Sequence, residues 1–385
     1  MLFKDVIGQA EVKQKLLEMA AKERVPHAMM LLGPEGNGNL ALALALAQYI
    51  QCDKKQEKDS CGECSSCIKN QKFIHPDVHF TFPVVPRKSG EAPISNDYIM
   101  DWRAALATNV YMNSNDWLQG IGAENRQGNI TVRECHEVIR GMGMKTYEST
   151  YKIQIIWLAE YLKEAGNTLL KIIEEPPANT IFILVVENVE IILNTILSRT
   201  QLIKVNCIDD ADVKKALLSR FEMDENSAKR IARISDGNFN AALHYSAGEE
   251  NANDKLLYKW LVCCYNLKHK SSSTNTLKLL EWVDEMAKTG RENQKIFLKY
   301  ALFFLRECSL ISQIGQSVKL EGEELKFATN LSAKLNAEQL ELLSQILNRL
   351  HFYIERNANP KVTLMSNSFK IAAVFKNEMV EMREF

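Results

Sequence analysis

An apolar run, His27-Ala28-Met29-Met30-Leu31-Leu32, meets an Ala/Leu-rich run, Leu40–Gln51, across Gly33-Pro34-Glu35-Gly36-Asn37-Gly38-Asn39-Leu40. Strand, glycine turn and helix is the setting that a phosphate loop requires. A chain that starts this way and goes on alternating strands with helices builds a mostly parallel sheet with helices on both faces. Gly33 and Gly38 occupy the fixed positions of the frame G-x-x-x-x-G-K-[ST], and Gly36 lies between them. Asn39 stands where the lysine belongs and Leu40 where the serine or threonine belongs. The lysine carries positive charge to the β/γ-phosphates and the hydroxyl ligates Mg²⁺. An amide and an isobutyl group do neither.

The alternation continues. Val78–Phe82, Lys152–Leu158, Ile181–Val186 and Leu202–Val205 read as strands; Val12–Glu23, Thr131–Met142, Lys163–Glu174 and Ile191–Leu197 read as helices, the third stopped by Pro176-Pro177. After Asp209 only helices are expected: Asp212–Phe221, Glu225–Ser235, Asn240–Ala247, Leu256–Tyr265, Thr276–Ala287, Ile296–Leu310, Ala337–Arg356 and Leu364–Met382, with Lys268–Asn275 as a serine-rich loop. Residues from about 83 to 129 break the pattern with three prolines, Gly90 and five asparagines from Asn109 onward. Trp102, Tyr111 and Trp117 interrupt this polar stretch, so it reads as an ordered insertion with some helix around Tyr98–Thr108.

The 385 residues suffice for two or three domains, and a net charge of −1 leaves no global electrostatic footprint for nucleic acid. Met1–Ile7 lacks the apolar core of a signal peptide, and the run Leu40–Ala47 is far short of the ~20 residues needed to span a bilayer, so a cytoplasmic protein is expected. Of the nine cysteines, Cys135, Cys207, Cys263, Cys264 and Cys308 are scattered and read as small buried hydrophobes. Cys52, Cys61, Cys64 and Cys67 are spaced C-x₈-C-x₂-C-x₂-C. Tetrahedral Zn²⁺ suits four thiolates at such spacing, and a closed four-cysteine site is structural rather than catalytic. An iron–sulfur cluster and free thiols are the alternatives.

A working ATPase of this kind ends a strand with an Asp for Mg²⁺ and a Glu for the attacking water. Here the strand from Lys152 runs into Trp157-Leu158-Ala159-Glu160, so the two acidic positions carry Trp157 and Leu158. Glu160 comes two residues late and reads as a helix-start charge. Arg199, in Ser198-Arg199-Thr200, falls in a turn before the last strand. An arginine there either caps carbonyls or pairs a surface carboxylate, or it serves as an arginine finger for a neighbouring subunit's ATP.

These segments, with Phe3-Lys4-Asp5-Val6-Ile7-Gly8-Gln9, Pro26-His27-Ala28, His75-Pro76-Asp77, Asn167 to Pro177 and Asn357-Ala358-Asn359-Pro360, together resemble the delta-prime subunit family of the bacterial DNA polymerase III clamp loader. The resemblance implies a RecA-like AAA+ domain over residues 1–206 with an embedded zinc module at 52–67. It also implies a small helical lid over 207–250 that carries Ala232 to Asn238, and an all-α collar over 251–385. The implied function is that of a stator that does not hydrolyse ATP, binds structural Zn²⁺ through the four cysteines and assembles with gamma/tau ATPase subunits and a delta subunit. Arg199 would then act in trans, and the sliding clamp and primer-template DNA would be met through the assembled complex. Thr200 replaces the cysteine usual in the serine-arginine-cysteine motif, and the insertion at 83–129 has no counterpart in the family pattern.

Two rivals stand beside this expectation. An active gamma/tau-like ATPase needs a lysine at 39 and acids at 157–158. A zinc-module DNA-binding protein needs a basic zinc segment, but Lys54, Lys55 and Lys58 are offset by Asp53, Glu57, Asp59 and Glu63.

Overall fold

A computed structural model describes residues 1–377 except 23, 88–89, 91, 124–125, 247–249, 268–272, 316–318 and 357. Residues 268–272 of the expected serine loop, Asn357, part of the 207–250 segment and the end of the last expected helix therefore lie outside the described residues. The chain divides into two compact units, Met1–Leu243 and His244–Phe385.

The first unit is built on five strands: β1 (Ala28–Leu32), β2 (Val78–Thr81), β3 (Lys152–Trp157), β4 (Thr180–Val186) and β5 (Gln201–Lys204). They lie in the order β2-β3-β4-β1-β5, and every pairing is parallel. All residues of β3 and β4 are buried, which is why they read as unbroken apolar runs instead of alternating ones. The parallel α/β class expected from the glycine loop is observed.

Helices flank the sheet: α1 (Ala10–Ala21), α2 (Asn39–Gln51), α3 (Ser65–Gln71), α4 (Ile99–Thr108), α5 (Ser114–Gly120), α6 (Val132–Gly143), α7 (Leu170–Glu174) and α8 (Asn194–Leu197). Thr131 starts α6 by accepting the Glu134 N–H on its side chain. The single helix expected at Lys163–Glu174 is instead a 3₁₀ segment, Ala159–Leu169, broken at Lys163 (φ 45°) and followed by α7. Asp77 explains the His75-Pro76-Asp77 segment: its carboxylate accepts the N–H groups of Tyr147, Glu148 and Ser149 at 2.6–2.9 Å and fixes the loop that enters β3.

The insertion is ordered by its aromatic residues. Trp102 stacks on Phe82 at 4.2 Å and meets Trp117 edge-on at 5.2 Å, and the Trp117 indole donates to the Pro83 carbonyl at 2.7 Å. Three helices complete the first unit: α9 (Asp210–Arg220), α10 (Glu225–Ser235) and α11 (Phe239–His244).

The second unit is helical among the described residues: α12 (Glu250–Asn266), α13 (Ser273–Lys288), α14 (Arg291–Ile314), α15 (Gly322–Ser332), α16 (Ala337–Glu355) and α17 (Pro360–Phe375). Helix α13 begins at Ser273, three residues before the expected Thr276. Trp260 and Trp282 stack face to face at 4.8 Å in its core. Cys135, Cys263, Cys264 and Cys308 are buried as expected, but Cys207, in the connection between β5 and α9, is exposed. Among the described residues no helix is long and apolar enough to cross a membrane.

Candidate functional site

The glycine loop follows β1 and opens α2, all thirteen of whose residues are buried. Gly36 (φ 72°) and Gly38 (φ 95°) have left-handed backbones, and a Cβ on Gly36 would lie 1.8 Å from the Asn238 side-chain oxygen. The loop's chemistry is turned inward. The Asn39 amide donates to the Gly33 carbonyl at 2.7 Å and approaches that of Val186 at 3.5 Å, tying both ends of the turn to the adjacent strand. Asn37 donates to the Val205 carbonyl at 2.9 Å, and Gln9 donates to the carbonyls of Asn37 and Asn206. Leu40 is 3% exposed. At the one position where a phosphate loop presents an ammonium, this loop spends its side chain on its own backbone.

The acid end of β3 is apolar. Trp157 is 2% exposed and lies 5.0 Å from the Trp102 ring of the insertion. Leu158 is buried in a left-handed conformation (φ 54°) that turns the chain into the 3₁₀ segment. Glu160 stands in the first turn of that segment, as expected, but it is a buried group. One carboxylate oxygen accepts the Glu187 N–H at 3.1 Å. Burial pushes its carboxyl up to about 7, against the backbone N–H groups that hold the charged form.

Arg199 lies in the turn between α8 and β5. Its Nε donates to the Glu174 carboxylate at 2.8 Å and a terminal nitrogen donates to the Thr195 carbonyl at 3.1 Å. Both plain roles of a turn arginine, carboxylate pairing and carbonyl capping, are thus filled, and the side chain remains one-third exposed. Thr200, in the position after it, donates to the Ile196 carbonyl of the same turn at 3.1 Å.

Cys52, Cys61, Cys64 and Cys67 converge, with all four sulfurs within 4.8 Å of one another. Four sulfurs each about 2.3 Å from one ion in a tetrahedron are about 3.8 Å apart. The Cys52–Cys61 and Cys61–Cys67 separations are 3.6 and 3.8 Å, and all four cysteines are free. The N–H groups of Cys61, Cys64 and Cys67 point at the sulfurs of Cys52, Cys61 and Cys64 at 3.3–3.4 Å, the second layer that orients thiolate ligands. Backbone N–H groups of Glu63 and Cys64 bring the Cys61 thiol down to about 6, whereas burial raises Cys52 and Cys67. The cluster can hold one metal ion.

Sequence reasoning did not find what covers the glycine loop. Val110, Tyr111 and Met112 of the insertion line its outer side together with Trp157. Glu35 in the loop accepts from both Asn113 and Asn238. The available signal was the set of aromatic residues within the asparagine-rich stretch.

The strand order, the glycine turn and its helix define an α/β nucleotide-fold protein whose glycine loop carries Asn39 and Leu40 where a phosphate loop has a lysine and a hydroxyl. A family model described as DNA polymerase III, delta subunit matches residues 8–209, more than half of the chain. The chain belongs to that family. The tau subunit of DNA polymerase III from Bacillus subtilis (strain 168) is 24% identical over 382 residues, which are 94% of this chain and 59% of the relative, so this chain spans less than two thirds of its length. The delta' subunit from the same organism is 23% identical over 341 residues, 88% of each chain. Among solved structures, a gamma-subunit-related protein from Thermotoga maritima aligns over 95% of this chain and 99% of its own length, at 16% identity and a TM-score of 0.40.

Proposed function

We propose that this chain is an ATPase-inactive, delta-prime-like subunit of the replicative clamp loader. In this reading it assembles with gamma/tau ATPase subunits and a delta subunit, and the complex places the sliding clamp on primer-template DNA in the cytoplasm. Residues 1–206 are the nucleotide-fold domain, 207–250 the lid and 251–385 the collar. The observation that carries the reading is the inward-turned loop: Asn39 is bonded to Gly33 and Val186, and Leu40 and Trp157 are buried where lysine, hydroxyl and acid would act. A chain with none of these groups cannot hold Mg²⁺ on a γ-phosphate by the usual route.

Arg199 is the group that serves chemistry, as an arginine finger reaching a neighbour's ATP. Glu174 grips one edge of the guanidinium, which fixes its plane on a short turn anchored by α8 and β5. Cys52, Cys61, Cys64 and Cys67 hold structural Zn²⁺, which supplies cross-linking of the charged excursion 53–60 and no catalytic step. The alternative, a gamma/tau-like ATPase, draws on the similarity to tau but needs the three ionic side chains that positions 39, 157 and 158 lack.

Arg199→Ala tests the reading in a reconstituted loader. The expected result is an intact complex whose DNA- and clamp-stimulated ATPase falls on the order of 10³-fold at the one served site, with a smaller loss in bulk. Unchanged ATPase and clamp loading by the intact variant complex would remove the finger role.

A further inference from the structure

Residues 109–116 bind the glycine loop and the start of α11 at the same time. Tyr111 is buried, and its Cε1 would lie 3.2 Å from a Cβ on Gly38. Its hydroxyl accepts the Ile7 N–H at 2.8 Å, and its ring meets Phe239 edge-on at 5.1 Å. Glu35 of the loop takes one N–H from Asn113 at 3.1 Å and one from Asn238 at 3.2 Å through a single carboxylate oxygen. Asn109 donates to the Asn240 side-chain oxygen at 2.7 Å, and Asn240 donates to Asp116 at 2.6 Å. The Phe239 N–H closes the circuit on the Gly36 carbonyl at 2.9 Å. The cavity that remains between the loop and Val110–Met112 is about 20 Å³. That is room for one water, whereas small-molecule sites run to some 300 Å³ or more.

We propose that the insertion is an internal ligand of the phosphate loop: residues 109–116 occupy the space over Gly36–Leu40 and clamp the start of α11 to it, so that this closure is set by the chain itself and not by nucleotide. The chemistry of the contact favours a permanent arrangement. Glu35 places a carboxylate at the loop, where it repels phosphate but accepts two amides at once. Burial pushes the Tyr111 phenol up from its ordinary 10 to about 12. The inference stands apart from the finger role: it is read on the isolated chain, whereas Arg199 is read in the loader.

Hydrogen exchange read by mass spectrometry on the full chain tests it with Tyr111→Ala and, as the milder variant, Glu35→Ala. Amides of 33–40 and 236–243 are expected to lose protection together, exchanging roughly 10-fold faster or more, while those of β3 and β4 keep theirs. If Tyr111→Ala loosens the sheet as well, Glu35→Ala decides. Wild-type protection of both segments in Glu35→Ala overturns the proposal. A second arm restores the loop chemistry with Asn39→Lys/Leu40→Thr and leaves the insertion intact. Fluorescent ADP is expected not to bind at millimolar concentration; stoichiometric binding would show the site open and end the proposal.

Discussion

Glu160 shows how far a residue can be read from its place in a chain. Between Ala159 and Tyr161 it looks like any carboxylate at a helix start, and it does stand in a first turn. Its carboxylate accepts the Glu187 N–H just after β4, 27 residues away, a partner that no local pattern reports. With the folded carboxyl near 7 and its ordinary value 4.5, the folded chain holds a proton that the unfolded chain has released between those values. Stability is therefore full below about pH 4.5 and falls as pH rises through 7, by up to about 3 kcal/mol. Glu160→Gln cannot ionise and keeps an oxygen for the Glu187 N–H. Its melting temperature should exceed that of wild type at pH 8 and match it at pH 5, and an equal difference at both values would count against this account. Arg199 is the converse case. Its position was legible from Ser198-Arg199-Thr200, but its tie to Glu174 needed two segments brought together in space.

At the scale of elements, β1, β3 and β4 were legible because parallel strands buried on both faces are continuous apolar runs. The short helices α3 and α5 were not. Each has seven residues and is fixed by its cap rather than by periodicity: the Cys64 sulfur accepts the Cys67 N–H, and Asn113 accepts from Asp116. The cysteine spacing pointed to a cluster that can hold a metal ion, but not that its excursion reaches back to residues 1–6. Asp59 accepts the N–H groups of Phe3 and Lys4, both at 3.0 Å, and Phe3 packs edge-on against Tyr49 of α2. Stripping the metal with a strong chelator should therefore loosen residues 1–6 together with 52–71, and Cys64→Ser should do the same. Exchange measurements would see protection vanish in both segments with the sheet unchanged, alongside one zinc per wild-type chain by elemental analysis. Metal-free protein with residues 1–6 still protected would separate the two.

For the whole molecule, the alternation of strands and helices gives way after β5, among the described residues, to helices alone, where the sequence indicated. The division into two units falls at 243/244, inside α11, where no composition shift marks it. Helix α15 also escaped notice, since its polar residues hide the buried Ala328 and Leu331. The prediction at this scale concerns assembly. Mixed with gamma/tau-type ATPase subunits and delta, the chain should raise their DNA-stimulated ATPase, and alone it should turn over none; Mg²⁺-dependent turnover by the pure chain would contradict the stator reading. The contact between Trp157 and Trp102 carries a last implication. The ring in the acid position is packed on the insertion, so an aspartate put back at 157 would be buried with neither ion nor lysine to meet it, at a cost of roughly 2–7 kcal/mol even as the neutral acid. A hydrolytic site here would need the loop, the acid position and the insertion to change together.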